Sequence, residues 1–123
     1  MTTEPSPADI SSASPDRLTL MLFEGAVRFG RQAQTAIDSG DVPTGAHLVG
    51  RVHAIVDELD RSLNPSAGPI SGHLGSIYDY LRRRLANAID EQDALEEVVT
   101  DLDELRETWA ILVENRAAEA AAV

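Results

Sequence analysis

The sequence predicts an all-α fold, an antiparallel up-and-down four-helix bundle preceded by a mobile N-terminal arm, and three observations carry that expectation. Four stretches repeat apolar residues at helical spacing, one after another along the chain. The breaks between them are short and built from Gly, Pro, Ser, Asn and Asp, which makes consecutive helices antiparallel neighbours. β-branched runs bounded by turn residues are absent. At 123 residues there is room for one domain with one modest core. The expected layout is an arm over 1–13, a bundle over 14–117 and a frayed Ala-rich tail over 118–123.

The arm is rich in Ser, Thr, Pro and Ala, with Ile10 its one large aliphatic side chain. A first helix is predicted over Pro15 to Asp38. Ser14 suits the N-cap, Pro15 the first helical position and Asp16 the positive end of the helix dipole. Its apolar stripe reads Leu18, Leu22, Gly25, Phe29, Ala33 and Ile37, with Leu20, Met21, Phe23 and Val27 widening the surface. Gly40 suits a left-handed C-terminal position and closes the helix.

A second helix is predicted over about Pro43 to Leu63, entered through Asp41 or Val42. Its stripe is Leu48, Val52, Ile55, Leu59 and Leu63, extended by Val49 and Val56. The stretch Asn64 to Pro69, with two prolines and a glycine, cannot continue it. A third helix follows over about Pro69 to Ile89, with Ile70, Leu74, Ile77, Leu81, Leu85 and Ala88 in steps of three and four. The fourth begins after Asp93, which with Glu96 has the spacing of a capping box. Leu95, Val98, Leu102, Leu105, Trp109 and Leu112 then form a sustained seam with Trp109 in the core. Fraying is expected after Asn115.

Composition removes several function classes. There is no cysteine, hence no disulfide, thiol nucleophile or thiolate metal site. His47 and His53 are six residues apart, and the inward Glu-x-x-His pairs of a di-iron bundle are missing. Gly-rich phosphate loops, nucleophile elbows and paired cleft carboxylates are absent too. The expectation is a protein without cofactor or metal that is not an enzyme. A net charge of −11 opposes phosphate-backbone binding. Arg82, Arg83 and Arg84 form a basic island expected to pair with the fourth helix, where nine acidic residues and one Arg fall between Asp90 and Glu107. With neither a leader pattern at the start nor about 20 consecutive apolar residues, a cytoplasmic protein with no membrane insertion is expected.

The functional hint is apolar surplus. Leu20, Val27, Val49 and Val56 lie beyond one stripe, and an exposed patch of them would suit a helical partner. Gly25 sits mid-helix, where close helix–helix contact accounts for it more simply than a groove for a partner. Tyr78 and Tyr80 are about 200° apart around the third helix, so both cannot be central core, and Tyr80 is the more exposed of the two.

Fragments of all four helices, in order, resemble the flagellin-specific secretion chaperones, the FliS family, over about residues 10 to 112. The family's first helix opens on Ser/Thr-Pro and carries Leu-x-x-x-Leu-Tyr-x-Gly, matched by Ser14-Pro15, then Leu18, Leu22, Phe23 and Gly25. Its second ends in Ile-x-x-Glu-Leu, here Ile55, Glu58 and Leu59, then Leu63. Its third is similar to Ile70, Leu74, Ile77, Tyr78 and Tyr80 followed by Arg83, Arg84 and Leu85. Its fourth matches Leu95, Glu97, Val98, Arg106 and Trp109. Departures are Phe23 in place of tyrosine, Ser71 and His73 in place of Ala and Asn, and Pro5 where the family's arm commonly has tyrosine.

The resemblance implies a cytoplasmic export chaperone. Such a protein binds the disordered C-terminal segment of flagellin at 1:1, prevents premature polymerisation and keeps the subunit competent for flagellar type III export. It also implies an export-gate component as a second partner and a free chain that is monomeric or weakly dimeric. The expected client-binding residues are Leu18, Leu22, Phe23, Val52, Val56, Leu59, Ile77, Tyr78 and Tyr80 lining apolar grooves, with Ile10 folding back over a groove when no client is bound. Two other readings stand beside it. His47-Leu48-Val49-Gly50-Arg51 faintly resembles a helical phosphotransfer or adaptor bundle, and the apolar patch could instead close a structural dimer.

Overall fold

The computed structural model describes residues 14–121, in which four α-helices and one short 3-10 turn account for all regular structure. Helix α1 spans Pro15–Asp38, α2 Val42–Arg61, α3 Pro69–Leu85 and α4 Gln92–Ala121, with the 3-10 turn at Pro65–Ala67 between α2 and α3. Helix α1 lies against α2 and α4, and α3 closes the ring by packing on the same two helices. The fold is the all-α four-helix bundle that the apolar spacing predicts.

Local chemistry sets most of the boundaries. The Ser14 side chain accepts a hydrogen bond from the Arg17 N–H at 3.2 Å, with Pro15 opening the helix and Asp16 in its first turn. At the far end Gly40 takes φ +85°, and the Asp41 N–H reaches back to the Ala36 carbonyl at 2.8 Å, which terminates α1. Asp41 then caps α2 by accepting from the Thr44 N–H at 3.3 Å. Gly68, at φ +87°, makes the left-handed turn into α3.

Two boundaries differ from expectation. Helix α3 stops at Leu85 rather than near Ile89, because Asn87 and Ala88 donate to carbonyls only three residues back and tighten the chain out of α-helix. Helix α4 begins at Gln92, so Asp93 lies within its first turn and is not the N-cap of a box with Glu96. There its charge complements the helix dipole instead. Helical geometry also runs past Asn115 to Ala121.

The core consists chiefly of Phe23, Val27, Val52, Val56, Leu59, Leu74, Tyr78, Leu81, Leu85, Leu95, Val98 and Leu102, with Ala26, Ala33, Ala88 and Ala94 between them. Its centre is rotated from the predicted stripes. In α1 the innermost line is Phe23, Ala26, Val27, Gly30 and Ala33, while Leu18, Leu22, Phe29 and Ile37 are only half-buried. In α2 it is Gly45, Val49, Val52, Val56 and Leu59, with Leu48, Ile55 and Leu63 at the edge. In α3, Tyr78 takes the core position and Ile77 the margin. A helix touching two neighbours needs an apolar arc wider than one stripe, and small residues lie where the backbones come closest. Trp109 reaches this core from its edge, with its ring 5.5 Å from that of Phe23 and tilted by 56°. Its indole N–H is buried without a partner among the described residues.

Candidate functional site

A groove runs between α3 and α4. Turning Tyr78 inward points Ile77, His73 and Tyr80 toward α4, and α4 answers with Asp101, Leu105 and Thr108 at spacings of four and three. The open groove holds about 480 Å³ and is lined by His73, Ser76, Ile77 and Tyr80 from α3 and by Asp101, Glu104, Leu105 and Thr108 from α4. Ile77 and Leu105 make an apolar floor, while the rim is polar on the α3 side and acidic on the α4 side. Ile70, one turn before His73 on α3, is 57% exposed. An apolar floor open to solvent is what a partner's apolar side chains can fill.

One end of the groove is pinned by a polar network. The Tyr80 hydroxyl donates to Glu97, and the Arg84 Nε–H donates to the other Glu97 oxygen at 3.1 Å. Hydrogen bonding to that carboxylate is the first cause raising the Tyr80 phenol above its usual range, because the protonated form is the donor. Arg84 also lies 3.6 Å from Glu91. Arg82 turns the other way, pairing with Asp57 at 3.2 Å and Asp60 at 2.9 Å on α2 and with Asp79 on its own helix. The basic island therefore pairs with α4 only through Arg84. Arg82 ties α3 to α2, and Arg83 stays exposed.

The residues predicted to hold a client are divided by the bundle. Ile77 and Tyr80 come together in the groove. Phe23, Val52, Val56, Leu59 and Tyr78 are at most 2% exposed and belong to the core. They support the helices and present no surface in this structure, because a closed bundle must bury one residue of each helix at every level. Leu18 and Leu22 are half-buried on α1, and Leu22, like Ile55 of α2, packs at the margin of the core. Ile10 lies outside the described residues.

The expected surplus on α1 and α2 is likewise absorbed. Val27, Val49 and Val56 are buried and Leu20 is half-buried, so they form no exposed patch. Sequence reasoning missed Leu105, Thr108, Asp101 and Glu104 as groove residues. Leu105 read as one more position of a core seam, and the acidic pair as a solvated face.

Gly25 is buried, yet a Cβ there would sit 3.5 Å from Ile55 Cδ1, an ordinary contact. Close approach is enforced elsewhere. At Gly30 a Cβ would fall 2.7 Å from Val99 Cγ2, and at Gly45 2.5 Å from Ile37 Cγ1. Among the described residues no group of three or more His, Asp or Glu side chains could hold a metal ion, and no helix is long and apolar enough to cross a membrane. His47 stands exposed on α2.

Comparison with known proteins points one way. Residues 4–116 match the family model described as flagellar protein FliS. The chain is 32% identical over 108 residues to the flagellar secretion chaperone FliS of Bacillus subtilis, covering 86% of this chain and 80% of that one. It is 35% identical over 104 residues to the protein of the same name in Salmonella typhimurium, covering 81% and 77%. It is also 30% identical over 105 residues to the flagellar secretion chaperone FliSB of Pseudomonas aeruginosa, covering 83% of each.

Proposed function

This chain belongs to the FliS family of flagellar proteins, and from that premise we propose that it is a cytoplasmic secretion chaperone whose client is flagellin. It holds the disordered C-terminal segment of one flagellin chain, prevents its premature polymerisation and presents it to the flagellar export machinery. The role is binding and release, with no chemical step.

The observation that supports this reading best is the groove between α3 and α4, with its floor of Ile77 and Leu105 and its rim of Tyr80. A filament subunit whose terminal segments associate through amphipathic helices carries apolar faces that must be covered before assembly. Such a helix can lay its apolar ridge into an open groove of this kind. Ordering a disordered segment costs about 2–5 kcal/mol or more, so one groove of this size needs help from further contacts along the client. The half-buried Leu18 and Leu22 of α1 offer a second patch.

Titration with a synthetic peptide of the same organism's flagellin C-terminus tests the reading. Calorimetry should give micromolar or tighter 1:1 binding, and circular dichroism should show the peptide gaining helix. A well-folded bundle that ignores the peptide would refute the client assignment. Tyr80→Ala should weaken binding by about tenfold, as expected for an exposed aromatic anchor at an interface.

A further inference from the structure

The two long edges of the groove differ in charge, and the difference is unpaid within the protein. Glu97, Asp101 and Glu104 follow one another at steps of four and three, so they share one face of α4. Glu97 is held by Arg84 and Tyr80. Asp101 and Glu104, which line the groove, have no ion pair among the described residues. The face of α4 turned toward α1 carries ion pairs beside the unpaired Glu96. There Asp103 pairs with Arg31 at 3.5 Å and with Arg106 at 2.7 Å, and Glu107 lies 3.6 Å from Arg106. Glu96 and Glu114 of α4 are unpaired as well, but among the described residues Asp101 and Glu104 are the unpaired carboxylates that border the apolar floor of the groove.

Resting on the client reading above, we propose that the helical segment seated between α3 and α4 carries an Arg or Lys that docks against Asp101 and Glu104 while its apolar ridge covers Ile77 and Leu105. Charge complementarity selects this occupant over two others. Residues 1–13 of the chain itself contain Glu4 and Asp9 and neither Arg nor Lys. A second copy would bring another net charge of −11 to an acidic rim. The remaining titratable groups of the groove are His73 and Tyr80, both on α3, and neither α1 nor α2 contributes a residue to the lining. Burial, followed by the charges of Glu97 and Glu104, pushes the Asp101 carboxyl above the usual range. Ionised Asp101 is therefore a cost to the free protein that a bound cation relieves.

A double-mutant cycle tests this. One side is Asp101→Asn with Glu104→Gln in the full chain. The other is the flagellin C-terminal peptide with the basic residues of its helical stretch replaced by Gln. Either change alone should raise Kd on the order of tenfold, and the two together little more than either, as for charges that meet across an interface. The protein variant should also bind with a flatter salt dependence and melt no lower than the parent, because removing Asp101's charge relieves the bundle. Equal affinity of variant and parent for the native peptide, or losses that simply multiply, would overturn the proposal. Absence of binding by the parent chain would remove the client reading and this inference with it.

Discussion

Along α1 the helices approach until a methyl group at Gly30 would lie 2.7 Å from Val99 Cγ2, whereas between α3 and α4 about 480 Å³ stands open above Ile77 and Leu105. Both seams use apolar side chains at helical spacing, so hydrophobicity does not distinguish them. Size does. Ala26, Gly30, Ala33 and Ala36 let α1 sink between α2 and α4. Along α3, Leu74, Tyr78 and Leu81 fill the interior while Ile77 and Tyr80 are left on the outer margin. The close seam holds the bundle together, and the open one leaves surface for another molecule.

The contrast can be broken at its strongest point first. Phe23→Ala removes a fully buried ring that also contacts Trp109, and should cost about 3–5 kcal/mol in denaturant unfolding. Titration of Tyr78 probes the inner side of α3. Burial, then the charge of Asp60, pushes its phenol from 10.0 up to about 12. The folded state thus favours the protonated ring. That stability is complete below pH 10 and is lost as pH climbs toward about 12, amounting to roughly 2–3 kcal/mol at most. Tyr78→Phe should remove this alkaline loss, measurable as thermal midpoint against pH.

Gly30→Ala should destabilise by about 1–3 kcal/mol, since the β-branched Val99 opposite has little freedom to yield. Gly25→Ala, on the same helix, should go the other way and gain up to about 1 kcal/mol, because its Cβ meets Ile55 at an ordinary distance and helix propensity improves. Opposite signs at two buried glycines five residues apart would sharpen the distinction between close and merely covered positions. The smallest effect on folding belongs to the open seam. Tyr80→Ala should change stability by less than about 1 kcal/mol, since the side chain is 40% exposed and its bond to Glu97 lies at the surface.

Helix number, order and most ends were legible because they depend on local signals such as Ser14, Asp41, Gly40 and Gly68 acting on their own turns. The end of α3 was less so, because Ala88 keeps the apolar rhythm after the backbone has left the helix. Which residues are central and which marginal was read with a consistent rotation. Periodicity locates an apolar arc but not its midpoint, and large side chains such as Leu18, Leu22 and Phe29 drew the stripe toward the edge that they cover.

The groove was half legible. Tyr80 follows from its angle to Tyr78, but Leu105 and its acidic neighbours depend on how far apart α3 and α4 settle, which no single helix encodes. The family patterns on Phe23 and Tyr78 fall on residues that build the core, and those on Leu18 and Leu22 on half-buried positions of α1.

Amide hydrogen exchange of the full chain with and without the flagellin C-terminal peptide tests most directly the proposed client and its seat between α3 and α4. Added protection concentrated in the α3 stretch around His73 to Tyr80 and the α4 stretch around Asp101 to Thr108 is the predicted result. Protection confined to the outer faces of α1 and α2, with α3 and α4 exchanging as in the free chain, would contradict the account.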